Sequence, residues 1–405
     1  MSMILEGVRV LDWTIFQQGP VSTMLLGDMG ADVIKIEERG IGDPARAIMR
    51  MLGTVVDERA GRNPYYEYNN RNKRCLVLDL NKEEGRKIVY ELVSKSDVFV
   101  QNYRMGVAEK VGMDYKTLSK YNPKLIYAHA SGWGPTGPDK DEPSADYTGV
   151  ARSGLMWIPG EPGMPPLQVA GGVGDQMGAI MTAFGVMSAL YARDKFGIGQ
   201  KVDVSLLGSL TAGLLGLHVA MNLISGISTF RVSRSKMGNP LWNYYACSDG
   251  KWIALAHLQP DKFWPNVCQA MDLQHLEKDA RFDTLENRAK NCEELISILD
   301  KAFATKTGEE WMKKFKENGV IYSRINDISD LGDDPQVLAS NYITEWSHPE
   351  WGQTKVTGFP IAFEKTPMSI RREAPAFGQH TEEVLIDLLG YDWDQITILK
   401  DAEVI

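Results

Sequence analysis

The chain has 405 residues, 43% hydrophobic and 24% charged, with a formal net charge of −9. That is an ordinary globular composition at about two domains' length, and the acidic balance argues against a nucleic-acid binder, whose phosphate recognition needs a basic surface. Cys75, Cys247, Cys268 and Cys292 form no CxxC pair, and the histidines form no HExxH pair, so the residues point to no disulfide framework, no metal site and a reducing, cytoplasmic setting.

Met1–Gly7 lacks the basic and apolar regions of a signal peptide. Val8–Trp13 reads as a strand and Pro20–Met29 as a helix with proline near its first turn. Ala31–Glu37 and Cys75–Leu80 are further strands. Lys82–Ser96 is a helix whose apolar stripe is Ile88, Val89, Leu92 and Val93, and Asp97–Asn102 and Lys124–His129 are strands again. Short β-branched runs separated by helices predict an α/β fold with a parallel sheet. Gly132–Pro166 is rich in Gly and Pro and reads as loop. Helices follow over Gln176–Asp194 and Ser205–Leu223, with a turn and short strand, Gly197–Val204, between them. Val204–Ile227 has no charged side chain and is long enough to span a bilayer, but its Ser, Thr, His and Asn residues predict burial by protein, not by a membrane. A second unit begins near Arg231, with a hairpin over Tyr244–Leu255 and helices within Asp261–Asp300. A strand after Trp346, the polar turn Gly378-Gln379-His380 and a terminal helix Thr381–Leu389 follow, and there is no internal repeat.

Two motifs compete for the chemistry. Gly172-Val-Gly174-Asp-Gln-Met-Gly178 fits a GxGxxxG dinucleotide fingerprint, but Asp175 would put negative charge where a pyrophosphate needs free N–H groups. Asp175 itself has two readings: an N-cap of the following helix, or a nucleophilic carboxylate kept ionised by the helix N-terminus, with the missing side chains at Gly171, Gly172 and Gly174 admitting a bulky electrophile. A third pattern is a set of polar residues at strand ends: Gln17 and Gln18, Arg39, Asn72-Lys73-Arg74, and Asn102-Tyr103-Arg104. Ligands of open parallel sheets bind beyond the carboxyl ends of the strands, and Lys and Arg there suit phosphates.

Leu11-Asp12, Gly19-Pro20, Gly30–Glu37, Gly42-Asp43, Asn72-Lys73-Arg74, Leu78-Asp79-Leu80, Gly85-Arg86, Asn122–Tyr127, Ser131–Gly134, Gly199–Ser205 and Gly378–Thr381 together resemble the class III (CaiB/BaiF, formyl-CoA transferase-like) CoA-transferases, nearly end to end. The resemblance implies a Rossmann-like large domain from both ends of the chain (1–204 and 335–405), a helical linker (205–230) and a smaller α+β domain (231–334). It implies an interlocked homodimer, or a heteromer with a related subunit, in which the uncharged stretch from Val204 is buried against the partner. It also implies transfer of CoA from an acyl-CoA to a carboxylic acid through anhydride and thioester intermediates on Asp175, with CoA as substrate and no tightly bound cofactor.

By the same resemblance, Gln17 lines the active site, Asp146 is a second acidic position near the nucleophile, and Lys73, Asn102, Tyr103 and Arg104 contact CoA. Gln18 and Arg74 belong with them as polar residues of the same strand-end loops. Glu38 stands where formyl-CoA transferase has a basic phosphate contact, and Arg39 is the candidate replacement. That enzyme's glycine run is absent, leaving Gly238-Asn239-Pro240. The α-methylacyl-CoA racemases of the family pair a histidine with an aspartate, and Ala145 occupies the histidine's position. A non-catalytic acyl-CoA-binding subunit would not need Asp175. The dense aromatics at Tyr65, Tyr66, Tyr68, Trp133, Trp157, Trp242, Tyr244 and Tyr245 read either as core and interface or as a pocket for a larger or aromatic acid served by succinyl-CoA.

Overall fold

The computed structural model describes residues 2–48, 50–51, 54–55, 61–227 and 231–405. Residues 228–230, the end of the expected linker, lie outside them. The chain divides into two compact units: residues 1–156, 168–229 and 345–405 form one, and 157–167 with 230–344 form the other. The smaller unit thus also takes 157–167 and runs to 344, while the linker helices belong to the larger unit.

The larger unit is built on six parallel strands, β1 (Arg9–Trp13), β2 (Asp32–Glu38), β3 (Lys73–Leu78), β4 (Val98–Gln101), β5 (Ile126–Ser131) and β6 (Gln200–Ser205). Their spatial order is β3-β2-β1-β4-β5-β6, the doubly wound order with its topological switch between β1 and β4. Buried on both faces, the inner strands alternate between two cores. Val10, Val33, Val98, Val100, Ile126 and Ala128 pack under helices α1 (Gln18–Asp28) and α5 (Val173–Phe196). Leu11, Ile34, Ile36, Leu76, Phe99 and Tyr127 face the other side, under α3 (Glu83–Ser94) and the C-terminal residues Val384, Leu385, Ile396, Leu399 and Val404. Each such side chain removed from water contributes about 1.5–3 kcal/mol, which explains how the far end of the chain is held to the same sheet.

Several local expectations change. The β2–β3 register, Val33 with Lys73 and Ile34 with Arg74, draws Lys73 and Arg74 into the strand, where the sequence placed them in a loop before it. The Gly- and Pro-rich stretch contains helix α4 (Asp146–Ser153). The expected helix Ser205–Leu223 breaks into Leu206–Gly208, a π-helical turn Ser209–Leu214 and α6 (Gly216–Ser225), bent by 70°. No residue of α6 is buried, and Leu217, Leu223 and Ile224 are mostly exposed, so this chain alone does not supply the burial expected for it. Among the described residues no single helix is long and apolar enough to cross a membrane, although the bent pair is by length and composition. Beyond Thr381–Val384 and its π-helical continuation Leu385–Leu389, the helix Trp393–Asp401, opened by a capping box of Asp392 and Gln395, was not anticipated.

The smaller unit is a three-stranded antiparallel sheet, Trp242–Ala246, Trp252–Ala256 and Tyr322–Ile325, with helices Pro260–Ala270, Leu285–Lys290, Cys292–Phe303 and Gly308–Glu317. Its own core is aromatic: Tyr245, Trp264, Phe282, Phe303, Trp311 and Phe315.

Candidate active site

The switch point between β1 and β4 opens a cavity of about 700 Å³ at the carboxyl ends of the strands. Ile15–Gln18 after β1, Asn102–Met105 after β4, Ser144–Tyr147 at the start of α4 and Asp175 on α5 line it, with Tyr65 from helix α2 (Pro64–Asn70). The structure therefore brings Gln17, Gln18, Asn102, Tyr103, Arg104, Asp146 and Asp175 together.

Asp175 is not the N-cap. Gly172 holds that position in the left-handed conformation, φ +75°, and Asp175 lies in the first turn of α5 with no cap hydrogen bond from its side chain. The capping is done by Asp146: one carboxylate oxygen accepts from Gly172 N (2.9 Å), the other from Gly174 N (2.7 Å) and Asp175 N (3.1 Å). With those donors taken by Asp146, the helix terminus does not hold Asp175 ionised at low pH. Burial, and then the charge of Asp146, push the Asp175 carboxyl up to about 7. The pair thus divides into a carboxylate that caps the helix and a carboxyl poised near neutrality.

The glycines have a different use from the one expected. A Cβ on Gly172 would meet the Gln17 amide at 2.7 Å, one on Gly174 would meet Asp146 Oδ1 at 2.9 Å, and one on Gly178 would meet Gln18 Nε2 at 2.5 Å. Three bare backbone positions make room for three polar side chains arriving from the start of α1 and from α4, not for a nucleotide. Gln17 Nε2 lies 3.4 Å from Gly172 O and 3.5 Å from Gln176 Oε1, and the Tyr65 hydroxyl donates to Gln17 Oε1 at 3.4 Å. Tyr65 was missed as a site residue, although it lies among the aromatics that the sequence flags. Burial and the charge of Asp175 raise its phenol, so it remains a donor.

Three expected basic contacts do not reach this cavity. Lys73 is fully buried, and its ammonium donates to Asp12 Oδ2, Pro20 O and Asn70 Oδ1, each at 2.8 Å, leaving no proton for a phosphate. Burial opposes the charge on Asp12, but the ammoniums of Lys73 and Lys35 outweigh it and hold Asp12 below the usual carboxylate range. Arg74 pairs with both oxygens of Asp32 and with Glu383. Arg39 donates to Ile405 O at 3.1 Å and pairs with Glu403 at 3.5 Å. Arg104, in contrast, is exposed at the cavity with no ion-pair partner among the described residues.

The sequence from residue 5 to residue 381 matches CoA-transferase family III. The chain belongs to that family. It is an enzyme that moves CoA between carboxylic acids, and the same assignment holds across the whole chain in its relatives. An (R)-2-hydroxy-4-methylpentanoate CoA-transferase of Clostridioides difficile is 32% identical over 407 residues, covering all of both chains. A human succinyl-CoA:glutarate CoA-transferase is 33% identical, over 99% of this chain and 90% of its own. A crystal structure of a CaiB/BaiF family protein from Brucella suis superposes with a TM-score of 0.83 at 26% identity, covering 96% of this chain and all of that one. The family III fold thus accounts for the doubly wound sheet and for both ends of the chain lying in one unit.

Proposed function

We propose that Asp175 is the nucleophile of this CoA-transferase. Its carboxylate oxygen attacks the thioester carbonyl of an acyl-CoA, the C–S bond breaks, and CoA leaves as the thiolate. The thiolate attacks the aspartyl carbonyl of the resulting anhydride, releasing the first acid and leaving Asp175 as a CoA thioester. The acceptor carboxylate attacks that thioester and expels the thiolate. The thiolate then attacks the acceptor acyl carbon, so that Asp175 is regenerated with no net proton or electron change. Asp146 orients the helix terminus and tunes the nucleophile, and Gln17 stands beside the reacting carboxylate as an amide donor. Gln18 and Tyr103 line the passage, and Arg104 meets the anionic end of CoA.

The observation that carries this reading is the half-buried Asp175 carboxyl, pushed up to about 7, at the wall of a cavity of about 700 Å³. The aromatic wall at Tyr65 and Tyr147, and the succinyl-CoA named for the human relative, favour succinyl-CoA as donor and a larger or aromatic acid as acceptor. The exposed apolar face of α6 favours a second copy, interlocked with the first, as its cover. The test combines Asp175→Ala with mass spectrometry of the intact chain during turnover. An adduct of the mass of CoA less one water on wild type, as a thioester requires, absent from a variant that no longer exchanges CoA, is the expected result. Exchange by the variant at near wild-type rate would overturn the reading.

A further inference from the structure

The loop that leaves β1 toward Gln17 is held in an unusual way. Phe16 has φ +63°, a left-handed conformation that a bulky side chain rarely adopts. All four backbone polar groups of Ile15 and Phe16 are taken by side chains from three other segments. Ile15 N donates to Asn102 Oδ1 at 2.9 Å, and Asn102 Nδ2 returns a bond to Ile15 O at 2.8 Å. Phe16 N donates to Asp43 Oδ1 at 3.0 Å, and Asn69 Nδ2 donates to Phe16 O at 3.1 Å. Asp43 and Asn69 are buried, and Asp43 is fixed in turn by the buried Lys35 at 2.8 Å. Lys35 also donates to Thr14 O, at 2.8 Å. Gly19 has no side chain because a Cβ there would strike Thr14 at 2.5 Å and Asn102 at 3.0 Å.

We infer that Asn102, Asp43 and Asn69 are positioning residues that force Ile15–Phe16 into its strained turn and so aim the Gln17 amide at the α5 terminus beside Asp175. Asn102 spends both ends of its amide on the Ile15 backbone, so its part in the reaction runs through Gln17 and not through contact with CoA. The strain at Phe16 is tolerated because four hydrogen bonds over-determine it. The inference rests on the transfer mechanism proposed above for its kinetic arm only.

The test uses the full chain and the variants Asn102→Ala, Asn102→Asp (same size, donor lost), Phe16→Gly and the double variant Asn102→Ala with Phe16→Gly. Misplacing a catalytic amide by a fraction of an ångström lowers kcat about tenfold to a hundredfold, so Asn102→Ala is expected to show that loss while KM for acyl-CoA changes less than about threefold. Glycine at 16 adopts positive φ without the clamp. Phe16→Gly is therefore expected to recover about tenfold of kcat in the Asn102→Ala background relative to its effect in wild type, a coupling that a merely structural Asn102 would not produce. A raised KM with kcat retained, or the same effect of Phe16→Gly in both backgrounds, overturns the inference. Hydrogen exchange at the Ile15 and Phe16 amides gives a readout free of activity: slow in wild type, about a hundredfold faster in Asn102→Ala, and between the two in Asn102→Asp, which keeps the acceptor for Ile15 N and loses the donor to Ile15 O. Equal exchange in all three sinks the clamp even if CoA transfer stands, and a wild type that transfers no CoA sinks the mechanism while the exchange result still decides the clamp.

Discussion

Replacing Asp146 by asparagine separates the two carboxylates of the site. In the native protein Asp175 titrates at about 7 against an ordinary 3.8, a rise of about 3 units or about 4 kcal/mol. Burial is the larger cause and the Asp146 charge the second. As the smaller of the two causes, the Asp146 charge accounts for less than half of that rise, on the order of one unit. The amide of the Asp146→Asn variant keeps one acceptor oxygen for the α5 terminus and loses the other, at a cost of about 1 kcal/mol in helix capping. If ionised Asp175 is the attacking group, kcat/KM for acyl-CoA rises with pH through about 7 in wild type and through a midpoint about one unit lower in Asp146→Asn. The plateau at high pH falls because the cap is weaker. The assay follows CoA esters chromatographically from about pH 5 to about pH 9. A midpoint that stays in place or moves up, or a wild-type rate that falls as pH rises through about 7, would refute the electrostatic account of the pair.

The same raised carboxyl has a stability consequence. Folded Asp175 holds its proton to higher pH than the unfolded chain does, so its favourable contribution is present at low pH and is lost as pH rises from about 4 to about 7. Asp175→Asn is therefore expected to stabilise the protein by about 1–2 kcal/mol at about pH 8, after discount for partial exposure, and by little at about pH 4, while abolishing transfer; urea unfolding at the two pH values checks it. Lys73→Met strands the buried Asp12 charge and is expected to cost about 3–5 kcal/mol in urea unfolding, with KM for acyl-CoA unchanged in whatever folds. Gly178→Ala places a methyl against Gln18 and is expected to cost about 1–2 kcal/mol in thermal unfolding and to lower kcat. Arg104→Ala removes an exposed cation from the cavity and is expected to raise KM for acyl-CoA about tenfold at low salt, the difference shrinking as salt is added.

The parallel α/β sheet was legible because its strands are short β-branched runs separated by helices, a pattern that burial on both faces imposes on parallel strands. The basic strand-end residues were harder to read. Arg104 does reach the cavity, but Lys73 and Arg74 start a strand whose register turns them toward Asp12 and Asp32. A lysine bound to phosphate and a lysine buried on an aspartate look alike in one dimension, because the partner is 61 residues away in the chain. The Gly172–Gly178 run was visible, yet its purpose was not, since the side chains that need the space come from residues 17, 18 and 146.

What the amino-acid order by itself determined was the α/β class, the family and the presence of a lone carboxylate on a glycine-rich turn. Those are carried by local periodicity and by motifs contiguous in the chain. What only the tertiary structure decided was the state of that carboxylate. Asp146 takes the helix-end donors that would otherwise have kept Asp175 ionised, and burial with the Asp146 charge lifts it to about 7. A pKa is set by the charges, dipoles and water within a few ångströms, and at this site those neighbours come from the start of α1 and from α2, α4 and α5, segments that folding alone brings together.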